Sequence, residues 1–105
     1  MTDQPDVRAN PDKRRYELWL DGERVGLIAY SGPDELRHFL HTEVDPAFGG
    51  RGLGSVLIRA ALDDVRARDA EVVPSCPFVR AYIQKHPEYT DLVPLTRRAG
   101  FGLAG

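Results

Sequence analysis

The sequence predicts an α+β fold built on a mixed sheet, and three observations predict it. Tyr16, Leu18 and Leu20 alternate with Glu17 and Trp19, and Arg24–Tyr30 follows an Asp21-Gly22 turn. A strand-like segment with apolar groups on both faces, Leu36 to Val44, leads directly into a cluster of glycines. Two helix-like segments then flank a short run centred on Val72-Val73. An antiparallel meander needs only tight turns between its strands, whereas a parallel step needs a helical crossover. The order strand, strand, strand, glycine loop, helix, strand, helix therefore combines both in one sheet. A chain of 105 residues supports one core and not two.

The elements follow in order. Residues 1–13 hold two prolines and few apolar groups, and are expected to form a flexible lead-in. Residues 14–94 are expected to form the domain. Tyr16, Leu18 and Leu20 alternate with Glu17 and Trp19, and Arg24–Tyr30 follows the turn. Asp-Gly between two such runs signals a hairpin, because both positions adopt positive φ at low cost. Ser31-Gly32-Pro33-Asp34 marks the next turn. Leu36–Val44 carries apolar groups on both faces, as expected of a strand inside a sheet.

Past the glycines, Leu53, Val56, Leu57, Ala60, Ala61 and Val65 share one helical stripe. Arg59, Asp63 and Arg66 lie opposite, so an amphipathic helix of about four turns is expected. Glu71-Val72-Val73 reads as a strand closed by Pro74. Pro77–Lys85 reads as a helix, with Pro77 at the first position, where a missing N–H costs nothing, and Pro87 as its stop. The tail, residues 95–105, is expected to be loose.

The glycine-rich stretch is the first chemical signal: Gly49, Gly50, Gly52 and Gly54 fall between a strand and a helix start. The free N–H groups of a first helical turn and the helix dipole together favour an anion. A tight turn alone needs one or two glycines rather than four. Gly49 and Gly54 have the glycine gap of a nucleotide P-loop, but Ser55 follows directly where the lysine belongs. The dinucleotide fingerprint fails too, since Gly50 and Gly52 are followed by Ser55 where a third glycine belongs. The remaining candidate is the pyrophosphate of coenzyme A.

The lone cysteine is the second signal. By default such a residue is a small buried hydrophobe. Here Pro74 ends a strand and Pro77 begins a helix, which puts Cys76 at or beside a helix N-cap. A thiolate there is stabilised by the helix dipole and by free N–H groups.

At these residues the sequence resembles the GNAT superfamily of acyl-CoA transferases. Their motif of strand, V-x-P-x-[aromatic]-[R/Q]-x-x-G-x-G/A and helix stands here at Val44, Pro46, Phe48, Gly52 and Gly54. One departure is Gly49, where the superfamily has Arg or Gln; Arg51 or the backbone would then hold the phosphates. A small single-domain GNAT-like subgroup resembles the chain more closely, through P-x-C-P-[YF]-V…Y-I-x-K-H-P-E-Y. Those positions run from Pro74 through Cys76, Phe78 and Lys85 to Tyr89, and His41 to Val44 also look like that subgroup. The resemblance covers residues 15–93. It implies an acetyl-CoA-dependent N-acyltransferase with Cys76 near the reaction centre, and a coenzyme A site at Val44, Gly49, Gly50, Arg51, Gly52, Leu53, Gly54, Ser55 and Lys85. The tyrosine acid of larger relatives aligns with Ile83, one step from Tyr82, which leaves room for a different catalytic group.

Transfer to an amine requires a neutral nucleophile, a donor for the oxyanion and a proton for the departing thiolate. Cys76 could serve by carrying the acetyl group itself or by protonating the leaving thiolate. His41 and Glu43, two apart on one strand, share a face that Phe39 is expected to share, and are candidate proton acceptors. The alternative is a non-catalytic acyl-CoA-binding or protein-interaction module on the same fold. A Cys–His hydrolase is disfavoured, because a domain this small offers no large substrate cleft. Cys76, His41 and His86 show no metal-ligand spacing, so no metal is expected. With a net charge of −2 and 42% hydrophobic residues, no nucleic-acid partner is expected. No apolar run reaches membrane-spanning length and the N-terminus does not read as a signal peptide, so the expected location is cytoplasmic. The acceptor, a small-molecule or protein amine, and the oligomeric state carry no signal.

Overall fold

The computed structural model describes residues 4–49 and 52–103. Strands β1 (Asp6–Asn10), β2 (Arg15–Leu20), β3 (Glu23–Ser31), β4 (Leu36–Val44) and β5 (Glu71–Pro74) form one sheet in sequence order. The first four pair antiparallel and β5 joins β4 in parallel. Helix α1 (Leu53–Ala67) carries the crossover, α2 (Pro77–Lys85) leaves β5, and a short α3 (Leu95–Arg98) follows.

Helix α1 buries Leu57, Ile58, Ala61, Leu62 and Val65 against one face of the sheet. Facing them are Tyr16, Leu18, Ile28, Tyr30 and Phe39, and α2 adds Val79 and Ile83. Burial of each large side chain stabilises the fold by roughly 1.5–3 kcal/mol relative to exposure. A polar chain crosses this core. Arg37 donates to the Tyr16 hydroxyl, which donates to Asp64 Oδ2 at 2.7 Å, so β4, β2 and α1 are tied together. Burial and the bond to Asp64 push the Tyr16 phenol far above its ordinary pKa.

Residues 6–10 and 99–103 are more ordered than expected. Asp6–Asn10 pairs with β2 along its whole length, from Asp6↔Trp19 to Asn10↔Arg15. It reads as a lead-in because an edge strand needs only one apolar face, here Val7 and Ala9, which stand opposite the buried Leu18 and Tyr16. At the other end, Phe101 and Leu103 dock on the core. Gln84 Nε2 donates to the Phe101 carbonyl at 3.0 Å, and the Arg80 guanidinium lies 5.3 Å from the Phe101 ring centre. Two apolar groups bracketing Gly102 are enough to fix the segment. Among the described residues, no helix is long and apolar enough to cross a membrane.

Candidate active site

The site starts from the way β4 loses its neighbours. Pairing with β5 runs from Leu36↔Glu71 to Phe39↔Pro74 and stops there. Pro74 cannot donate to a ladder, and the chain then turns into α2. The Cys76 N–H makes one last bridge, donating to the Phe39 carbonyl at 2.8 Å. On its other edge β4 stays paired to β3 as far as Gly26↔Val44, but the register skips Leu40: Tyr30 faces Phe39 and Ala29 faces His41. One extra residue reverses the alternation of side chains. Thr42 and Val44, opposite Ile28 and Gly26, therefore point to the α1 side, as Phe39 does. His41 and Glu43, opposite Ala29 and Leu27, point away from it.

A cleft of about 360 Å³ opens where β4 is unpaired. Thr42 and Val44 form its floor, Phe48 and Gly49 one side, the start of α1 from Gly52 to Ser55 another, and Phe78 of α2 the far wall. A 3-10 turn at Pro46–Phe48 shapes the approach, started by Asp45, whose carboxylate accepts from the Ala47 N–H at 3.0 Å. Gly52 is the N-cap of α1 with φ of 72°, a left-handed conformation that an L side chain strains. The first helical bond runs from the Val56 N–H to the Gly52 carbonyl at 3.2 Å. The N–H groups of Leu53, Gly54 and Ser55 consequently have no partner within the helix, and the dipole makes this end attractive to an anion. At Gly54 a Cβ would stand 3.4 Å from the Phe78 ring and 3.8 Å from Val44, so its absence keeps the groove open.

The structure brings together Val44, Gly49, Gly52, Leu53, Gly54 and Ser55 from the expected coenzyme A set. Gly50 and Arg51 lie outside the described residues. Lys85 does not join them: it is exposed at the last position of α2, whereas Phe78 in the first turn reaches the cleft. At 1.5 Å per residue the two stand about 10 Å apart along the helix. His86, just beyond, stacks on Tyr82 with ring centres 4.1 Å apart.

Cys76 is the N-cap of α2, as its proline brackets require. It is also buried, and its sulfur lies 3.3 Å from the Thr42 hydroxyl, behind the cleft floor and not on it. His41 and Glu43 share a face, with Nε2 and Oε2 2.7 Å apart, but that face is the exposed one, at 59% and 62% side-chain exposure. Phe39 is fully buried on the opposite face, so the expected common face of Phe39, His41 and Glu43 is broken by the bulge at Leu40. Ile83, at the position of the tyrosine acid in larger relatives, is fully buried, and Tyr82 has its phenol pKa raised by burial.

Sequence reasoning missed Thr42 and Phe78 as site residues. Phe78 had a signal, the aromatic after Cys76-Pro77 at a helix start. Thr42 had none, because its direction depends on a bulge that no local residue announces. Among the described residues, no group of three or more His, Cys, Asp or Glu side chains is placed to hold a metal ion.

The chain is similar to known proteins in sequence and in fold. The model of the GCN5-related N-acetyl-transferase family matches residues 15–92. Protein NATD1 of Homo sapiens is 33% identical over 86 residues, spanning 77% of this chain and 75% of that protein. Protein NATD1 of Gallus gallus is 38% identical over 84 residues, spanning 77% and 76%. The solution structure of a GCN5-like protein from Staphylococcus aureus superposes with a TM-score of 0.66 at 21% identity, covering 90% of this chain and 91% of that one. The crystal structure of the ribosomal-protein-S18-alanine N-acetyltransferase from Escherichia coli superposes with a TM-score of 0.52 at 19% identity, over 57% of this chain and 41% of that one. At these identities the two structures speak for the fold alone.

Proposed function

The chain belongs to the GCN5-related N-acetyltransferase family, and from that premise we propose that it moves an acetyl group from acetyl-CoA to an amine. The observation that carries this reading is the position of the cleft. It joins the anion-seeking start of α1 to the edge of β4 that β5 leaves unpaired.

The residues fit this substrate in order. The N–H groups of Leu53, Gly54 and Ser55 suit the pyrophosphate, and Gly52 and Gly54 leave their backbone bare for close approach. Backbone donors carry this contact where Gly49 replaces the superfamily's Arg or Gln. Val44, Phe48 and Phe78 offer an apolar wall to the pantetheine arm. The thioester then reaches the floor at Thr42, beside the unpaired edge of β4, whose backbone supplies polar groups to a developing oxyanion.

The amine approaches from the opposite face of the sheet, where the His41–Glu43 pair is open to solvent and one residue from the bulge. That pair accepts the amine proton, directly or through water. The amine nitrogen forms the new C–N bond as the C–S bond breaks. The departing sulfur needs a proton, and the nearest thiol is that of Cys76.

Calorimetric titration with acetyl-CoA, with ADP and NAD as controls, tests the reading. Saturable binding of acetyl-CoA alone is expected, followed by release of free coenzyme A thiol when a panel of small amines, polyamines and lysine peptides is added. Absence of binding at millimolar acetyl-CoA would overturn the coenzyme A site. Tight binding with no turnover on any amine would favour a non-catalytic acyl-CoA-binding module.

A further inference from the structure

We infer that Thr42 carries the proton between the buried Cys76 thiol and the sulfur that leaves the acetyl group. The inference rests on the reading above that acetyl-CoA occupies the cleft. Three observations converge on this residue. Thr42 lines the cleft floor and Cys76 does not. The Thr42 hydroxyl is 3.3 Å from Cys76 Sγ, within hydrogen-bond range for sulfur, and either atom can donate. Cys76 is 4% exposed and its backbone N–H is held by the Phe39 carbonyl, so the thiol stays behind Thr42 unless the strand end moves.

A hydroxyl is both donor and acceptor, and it can pass a proton without keeping a charge. As the amine attacks and the C–S bond breaks, the electron pair of that bond goes to the coenzyme A sulfur. That sulfur takes the proton of Thr42 Oγ1, and Oγ1 takes the proton of Cys76 Sγ in the same movement. Cys76 is left as a thiolate at the N-cap of α2. It regains a proton from solvent, to which the His41–Glu43 pair releases the one taken from the amine, so atoms and charge balance over the cycle. The arrangement disfavours direct attack by Cys76, since its buried sulfur does not line the cleft and Thr42 does.

Three substitutions separate the proton role from the covering role. Thr42→Val keeps the shape and removes the hydroxyl; Thr42→Ser keeps the hydroxyl; Thr42→Ala removes both. With the fold checked by thermal melting, Thr42→Val is expected to lower kcat on the order of a hundredfold, in the range of lost acid–base assistance. The KM for acetyl-CoA is expected to stay near wild type. Thr42→Ser should recover most of the rate. The double variant Thr42→Val, Cys76→Ala should be no slower than Thr42→Val alone, because two members of one relay fail together. Wild-type turnover in Thr42→Val, or a loss in Thr42→Ser as deep as in Thr42→Val, would overturn the inference.

A second readout needs no turnover. Alkylation of Cys76 by iodoacetamide should be slow in wild type and in Thr42→Val, and several-fold faster in Thr42→Ala. Equal rates in all three would show that Thr42 does not stand over the thiol, and would overturn the inference even if acetyl-CoA fails to bind. Failure of acetyl-CoA binding with the expected alkylation pattern would instead remove the coenzyme A reading and leave Thr42 over the thiol.

Discussion

The two halves of β4 are built from similar residues and do opposite things. From Leu36 to Phe39 the strand is paired to β5, with β3 on its other edge at His38 and Phe39, and its inward side chains, Arg37 and Phe39, are sealed in the core. From His41 to Val44 it is paired to β3 alone, and its inward side chains, Thr42 and Val44, line a cleft. Two local events make the difference: Pro74 ends the partner strand, and Leu40 adds one residue to the register. A cleft is thus obtained from a continuous sheet without a separate domain, by withdrawing one neighbour and reversing one alternation.

The sharpest test contrasts two phenylalanines. Phe39, fully buried in edge contact with the Tyr16 ring at 5.8 Å, belongs to the closed half. Phe39→Ala is expected to cost about 3–5 kcal/mol of stability, read from the denaturant midpoint. Phe78, 56% exposed, faces the open half. Phe78→Ala should leave stability within about 0.5 kcal/mol of wild type while weakening acetyl-CoA binding measurably by calorimetry. Equal stability losses in the two variants would erase the distinction.

Smaller effects probe the ends of the open half. Gly52→Ala puts a side chain at φ of 72° and is expected to cost roughly 1–2 kcal/mol, with acetyl-CoA affinity falling as the α1 start shifts. On the outer face, His41→Ala and Glu43→Gln should leave acetyl-CoA binding intact, lower turnover and change the pH–rate profile. An unchanged profile in both would remove the pair from the reaction. The smallest expected effect lies away from the cleft, at Glu17. Burial raises its carboxyl pKa, but hydrogen bonds from Arg15, Asn10 and Trp19 outweigh that and hold it below the ordinary 4.5. Its stabilisation is therefore present above about pH 4.5 and is lost as pH falls below it. A stability–pH curve flat between pH 6 and pH 3 would contradict this.

Much of this organisation is legible in the sequence because it depends on neighbours along the chain. The turn at Asp21-Gly22, the stripe from Leu53 to Val65 and the proline brackets around Cys76 each state a local preference that the fold obeys. So do the glycines that open the start of α1, where backbone conformation and bare N–H groups follow from residue type alone. The ends of the chain were harder to read. Val7 and Ala9, or Phe101 and Leu103, become apolar faces only when β2 or α2 lies beside them. The facing of β4 was not legible at all. Leu40 sits between Phe39 and His41 in a strand of mixed residues, and nothing within it says that it, and not a neighbour, will be left out of the ladder. Residue types determined that this chain has a strand, an anion-seeking helix start and a thiol at a second helix start. Only the tertiary structure decided that Thr42 faces the thiol and that His41 and Glu43 face solvent. Side-chain direction along a strand is counted from its register, and register is set by pairing with other strands rather than by the strand itself.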